Sequence, residues 1–188
     1  MDIGTILKWI EATSLATHIR NSLYVFPMLE SFHVVGLALV FGTIAVIDLR
    51  LLGRASAERP FQRVTADILK WTWAGFLLAA VTGLLMFTTN ATVYYHNLFF
   101  RLKMLLLLLA AVNMGAFELS AGRRVEEWGK NRSAPPVGRV VAVLSLVIWV
   151  GVIFAGRAIG FTTSRAKEAA PAVDVNFDDL FQGPPAKK

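Results

Sequence analysis

Cysteine is absent from this 188-residue chain, and histidine is scarce, at three residues. Without cysteine there is no disulfide, no thiolate metal site, no iron–sulfur cluster and no covalent c-type haem. Three histidines fall short of two bis-histidine haems, which argues against a transmembrane electron conduit built from this chain alone. Charge is also thin: 17% of residues are charged, against 55% hydrophobic, with a mean hydropathy of +0.56. Soluble domains are usually less apolar. An uninterrupted apolar run is missing from the start, where "MDIGTILKWIEATS" carries Asp2, Lys8 and Glu11, so no cleavable signal peptide is expected.

What is present is apolar sequence in blocks, the mark of an integral membrane protein. Four blocks are long enough to span about 30 Å of hydrocarbon, at about 20 helical residues each. They run from Pro27 to Leu52, Ile68 to Thr89, Leu98 to Leu119 and Val140 to Phe161. The expected fold is all-α: a bundle of four transmembrane helices over residues 27–162, preceded by an interfacial N-terminal segment, 1–26, and followed by a polar tail, 163–188. Pro27 suits a first helical turn, and Trp71 and Trp73 suit an interfacial belt. The N-terminal segment is helix-compatible but broken by Lys8, Glu11, His18 and Arg20, which favours lying in the interface over spanning.

The net charge of +6 does not indicate nucleic acid, because the basic residues sit in loops between apolar blocks. The first loop carries Arg50, Arg54, Arg59, Arg63 and Lys70; the third carries Arg123, Arg124, Lys130, Arg132 and Arg139. These loops are expected on the cytoplasmic side of a bacterial inner membrane, with both termini outside. The tail, "SRAKEAAPAVDVNFDDLFQGPPAKK", reads as disordered in isolation. Within it, Leu180 to Pro184 matches the core of a viral protease site used in expression tags, while Phe177, Leu180 and Phe181 are candidate anchors for a partner.

In this topology the unusual residues collect at the outer end. Glu30 and His33 open the first span, His96 precedes the third, Arg101 and Lys103 lie in its first turns, Arg157 lies near the outer end of the fourth, and His18 is on the interfacial segment. A charge inside a span costs at least about 2.5 kcal/mol unless it snorkels or is paired. His33, Gly36, Val40 and Thr43 share one helical stripe, so Gly36 leaves room below the imidazole for a flat macrocycle or a neighbouring helix. An imidazole with nearby cations suits one b-type haem, with His33 as ligand, His96 or His18 as its axial partner, and Arg101, Lys103 and Arg157 near the propionates. At 1.5 Å per residue, His33 lies about 9 Å below Pro27 while His96 starts nearer the surface, so a haem between them would tilt. The plainer alternative is a packing histidine bonded to Glu30 or to another helix, with snorkelling cations. Copper is a further alternative, on His33, His96 and the methionines Met28, Met86 and Met104, although these lack tight Met-x-x-Met spacing. A last reading takes Glu30, His33 and Lys103 as a proton relay or quinone-head site. At the inner end, Asp48 in "VIDLRLLGR" is expected to pair with an arginine or the Trp71 indole, with Gly53 ending the helix.

"SFHVVGLALVFGTIAVIDLRLLG", "TGLLMF", "FFRLK" and Trp149 followed by "AGR" together resemble a family of small four-span bacterial membrane proteins of unknown function. More distantly the chain is similar to copper-resistance D-like membrane proteins and four-helix b-type cytochromes. Those likenesses imply copper or haem and, residue by residue, point to His33, Lys103 and Arg157. The expected function is a membrane subunit of a redox complex, holding at most one b-type haem and passing electrons between a periplasmic partner and the quinone pool. The alternatives are a non-catalytic anchor, docking other subunits through its outer face and tail, and copper handling. A reporter fused after Arg59 is expected to behave as cytoplasmic and one after Ala170 as external; the opposite pattern inverts the topology.

Overall fold

A computed structural model describes residues 2–54, 61–120 and 136–168, with side chains for 2–54, 68–116 and 136–163. The basic residues of 55–60 and 121–135 and the tail anchors Phe177, Leu180 and Phe181 lie outside the described residues. Every described element is helical: α1 Ile3–Glu11, α2 Ser14–Asn21, α3 Val25–Leu51, α4 Phe61–Thr89, α5 Ala91–His96, α6 Leu98–Ser120 and α7 Pro136–Glu168. Four of them, α3, α4, α6 and α7, are long and apolar enough to cross a membrane. The all-α four-helix bundle is as expected, and the chain is a multi-pass membrane protein. Three details differ from the sequence reading, the first being that α7 runs on to Glu168, into the segment expected to be a disordered tail. The N-terminal segment is two short helices rather than one, because Thr13 caps α2, accepting from the Ala16 amide at 3.3 Å. The connection between α4 and α6 also holds a helix of its own, α5.

The packing follows membrane rules. Lipid tails offer no hydrophobic drive, so helices associate through close van der Waals fit and small residues. α3 packs along α4 and α7, and α6 along α7; among the described residues α4 and α6 share little direct packing and are joined through α5. Val40 of α3 and Trp149 and Val152 of α7 form the centre, flanked by Leu106, Leu107 and Ala110 of α6. Where α3 crosses α4, Gly36 and Gly75 face each other, and a Cβ on Gly36 would come within 2.8 Å of the Ala79 nitrogen and 3.0 Å of the Gly75 carbonyl. A middle rung is polar: Thr72 donates to Thr43 at 2.9 Å.

One end of the bundle is capped by α1, α2 and α5, and its polar side chains satisfy helix termini. The Glu11 carboxylate accepts from the Thr92 amide at 2.7 Å, at the start of α5. Arg20 donates to the carbonyl of Thr89, which closes α4, at 2.9 Å, and to the Glu11 carbonyl at 3.2 Å. Asn97 accepts from the amides of Phe99 at 2.9 Å and Phe100 at 3.3 Å, which caps α6, and its amide donates to Thr162 of α7 at 2.9 Å. At the opposite end Gly53, at φ 75, ends α3 as the sequence suggested. Asp48 does not use the Trp71 indole, which is exposed; it reaches Ser145 of α7 instead.

The glycine crossing sets up a matched comparison. Gly36→Ala is expected to destabilise by about 1–3 kcal/mol through overpacking. Gly42→Ala, where a new methyl meets nothing within 4 Å, is expected to gain up to about 1 kcal/mol of helix propensity. Melting temperatures in detergent should therefore move in opposite directions; equal shifts would contradict the close approach at Gly36.

Candidate functional site

His33 sits on the inward stripe of α3, two turns below the capped end. Its Nδ1 lies 2.9 Å from the Ala79 carbonyl and 3.1 Å from the Thr82 hydroxyl oxygen, both on α4. A carbonyl only accepts, so Nδ1 carries the hydrogen. The Thr82 hydroxyl already donates to the Leu78 carbonyl at 2.6 Å, which leaves its oxygen free to accept. With Nδ1–H fixed in this way, the lone pair of the neutral ring is on Nε2. Nε2 faces the Lys103 ammonium of α6 at 3.4 Å. The ring is held flat against α4 by the absence of a side chain at Gly83, where a Cβ would come within 3.0 Å of Cε1. Gly156 of α7 lies beside the Lys103 Nζ, where a Cβ would make an ordinary contact at 3.8 Å.

The candidate residues therefore separate. His33 and Lys103 come together inside the bundle, both half-buried. Arg101 and Arg157 are exposed, as snorkelling cations are, and the Arg157 guanidinium lies 5.2 Å from the Phe161 ring centroid. His96 is exposed, and its Nδ1 meets the Thr92 carbonyl of its own helix at 2.9 Å. His18 is exposed in an open hollow lined by Ala12, Ser14, Thr17, Asn21 and Ser22. Glu30 is exposed and makes no hydrogen bond to His33. It lies close enough to Tyr94 of α5 that burial first, and the Glu30 charge second, push the phenol above its usual range, against a hydrogen bond with Thr89. Met28 and Met104 are exposed. Among the described residues no three His, Asp or Glu side chains are grouped to hold a metal.

The fit of a haem at His33 can be tested against this packing. The Nδ1–H bond to a backbone carbonyl is the support a ligating histidine has. The space is not there, however. The Gly36 face below the ring is taken by the α4 backbone. A metal bound about 2 Å from Nε2 would lie against the Lys103 ammonium. The residues as packed do not fit a haem there, and Gly36 serves a neighbouring helix.

Sequence reading had selected His33 and Lys103 but not Thr82, Gly83 or Ala79, which orient them. The signal was present in "TGLLMF", whose threonine and glycine are Thr82 and Gly83. Nitrogen NMR of the imidazoles should show His33 protonated at Nδ1 and bare at Nε2, with the exposed His18 as internal comparison. A protonated Nε2 on a neutral His33 ring would rule out this arrangement.

A family model, described as a family of unknown function (DUF6644), matches residues 6–162. No curated protein and no solved structure matches the chain significantly, so the more distant likeness to copper-resistance D-like proteins and b-type cytochromes gains no support.

Proposed function

The chain belongs to the DUF6644 family, and we propose that it is a membrane subunit of a redox complex whose His33–Lys103 pair receives the oxygen-bearing head of a quinone. One observation carries this reading. A lysine ammonium is turned into a membrane bundle, and the side chain it meets is a neutral imidazole at 3.4 Å. Among the described residues no carboxylate pairs with Lys103. A structural lysine at this depth would snorkel, as Arg101 and Arg157 do, or find a carboxylate. A cation left this way favours a ligand that brings negative charge or a strong acceptor. A quinone carbonyl does both, because its oxygen becomes fully basic on reduction.

The roles follow from the atoms. The Lys103 Nζ–H donates to a quinone oxygen and holds it. Two electrons from a redox centre of a partner subunit reduce the quinone to the quinol; this oxygen takes one of the two protons from Nζ, and the second oxygen and then Nζ take theirs from water. Nε2 of His33, with its lone pair facing Nζ, accepts a hydrogen bond from the ammonium and steadies it. The Ala79 carbonyl and Thr82 keep the imidazole from turning. By charge distribution the site lies in the outer half of a bacterial inner membrane, where the partner would be periplasmic and dock through the capped face and the tail.

Titration of the detergent-purified protein with a short-tailed benzoquinone is the test. Lys103→Met should weaken binding at least ~10-fold, equivalent to about 1.4 kcal/mol. The same substitution should raise the melting temperature, because it removes a poorly compensated buried charge. Unchanged affinity in Lys103→Met would leave the chain an anchor. A Soret band, or bound copper, that is lost in His33→Leu would put a haem or copper site in its place.

A further inference from the structure

The pair has a roof. On α4, Phe87 stands one turn beyond Gly83, the residue against which His33 lies. On α6, Phe100 precedes Lys103 by three residues and shares its face. At 1.5 Å per residue both rings sit about 5–6 Å nearer the capped end than the pair. They meet across the gap between the two helices, with centroids 5.4 Å apart and planes 19° from parallel. Tyr94 of α5 completes a three-ring cluster, 6.3 Å from Phe87 and 5.9 Å from Phe100, at interplanar angles of 30° and 31°. The cluster is pinned by polar bonds already described: Arg20 and Glu11 hold the α4–α5 turn, and Asn97 holds the start of α6. Below the rings the seam between α4 and α6 has little direct packing among the described residues.

A planar stack of aromatic side chains resists water and ions but offers a ring-shaped ligand a matching surface. The loosely packed side of the site is the seam between α4 and α6. We propose that Phe87, Tyr94 and Phe100 close the His33–Lys103 site to the aqueous phase, and that its ligand enters sideways from the bilayer, between α4 and α6, and lays its ring against this aromatic stack. The ligand class, a lipid-soluble molecule with a planar head, rests on the quinone reading; the route rests on the packing. Tyr94 then has a particular part. It is the one ring of the three with a polar edge, and its hydrogen bond with Thr89 ties the roof to the end of α4.

The absence of cysteine makes the route directly measurable. Lys103→Cys places a thiol in the site and His96→Cys places one on the exposed cap. Each is reacted, in lipid nanodiscs, with uncharged N-ethylmaleimide and with a sulfonated maleimide. At His96→Cys both reagents should react at comparable rates. At Lys103→Cys the uncharged reagent should be favoured by at least ~10-fold over that ratio, since the charged one cannot cross lipid. Adding Phe100→Ala or Tyr94→Ala should restore the sulfonated reagent. Phe100→Leu, which keeps bulk but loses stacking, serves if the alanine variants do not fold, and should restore it in part. The proposal is overturned if the sulfonated reagent reaches Lys103→Cys as readily as His96→Cys, if neither reagent reaches it, or if roof substitutions change nothing. Failure of the quinone reading looks different: the labelling pattern holds while the wild-type protein binds no benzoquinone.

Discussion

How closely α3 and α4 approach decides the geometry of the capped half of the bundle. Gly36 and Gly75 let the two backbones meet with no side chain between them. That contact brings the Ala79 carbonyl within hydrogen-bond reach of His33 and lays the ring over Gly83. Spread the helices by the width of one methyl group and the imidazole loses the acceptor that fixes its hydrogen. It would then be free to turn, and the lone pair on Nε2 would no longer be presented to Lys103. A helix–helix contact with no polar atom of its own thus sets a protonation pattern. This is the use membranes make of small residues, because close approach of backbones is the main attraction left when apolar burial carries no reward.

The consequence for Lys103 is electrostatic. In water a carboxylate neighbour is worth at most about 1 kcal/mol to an ammonium; inside a bundle a charge without a compensating partner costs several kcal/mol. The structure accepts the less favourable partner. Arg101, two residues away on the same helix, points outward and is exposed, so the membrane environment at this depth does not oblige a basic residue to turn inward. Lys103 turns inward, where His33 offers a lone pair. Local stability given up for a residue that makes no compensating ion pair is the pattern expected of a working site.

The spans were legible in the sequence because hydropathy reads them directly: Val25–Leu51 against a sequence estimate of Pro27 to Leu52, and Thr89 and Leu98 as boundaries in both. The small helix α5 was not, since six residues between two long apolar blocks carry no periodicity to detect. His33 was selected for sound reasons, an imidazole above a glycine on one stripe. What Gly36 accommodates could not be read, because a glycine announces a close approach without saying by what. Topology alone draws seven candidate residues together at the outer end. Only two of them meet, because depth and end of the bundle follow from sequence position, whereas direction round the helix needs the neighbouring helices. Thr82 and Gly83 were visible as a motif and silent as chemistry until α3 was placed beside them. Of the polar tail, residues 163–168 continue α7, while its candidate anchors lie outside the described residues.

A second buried ionisable group sharpens the contrast. Asp48 of α3 is buried at the opposite end of the same helix, with Ser145 of α7 as its partner and one carboxylate oxygen left without a hydrogen bond. Its bond joins two helices that also pack there through Leu51 and Ala142, so a packing role accounts for it. Lys103 and His33, by comparison, sit under a ring cluster that α5 completes, at the end where Glu11, Arg20 and Asn97 hold the end of α4 and the starts of α5 and α6. Hydrogen-bonded helix ends, a poorly paired charge and a loosely packed α4–α6 seam are the features on which the proposed site for a membrane-soluble head group rests.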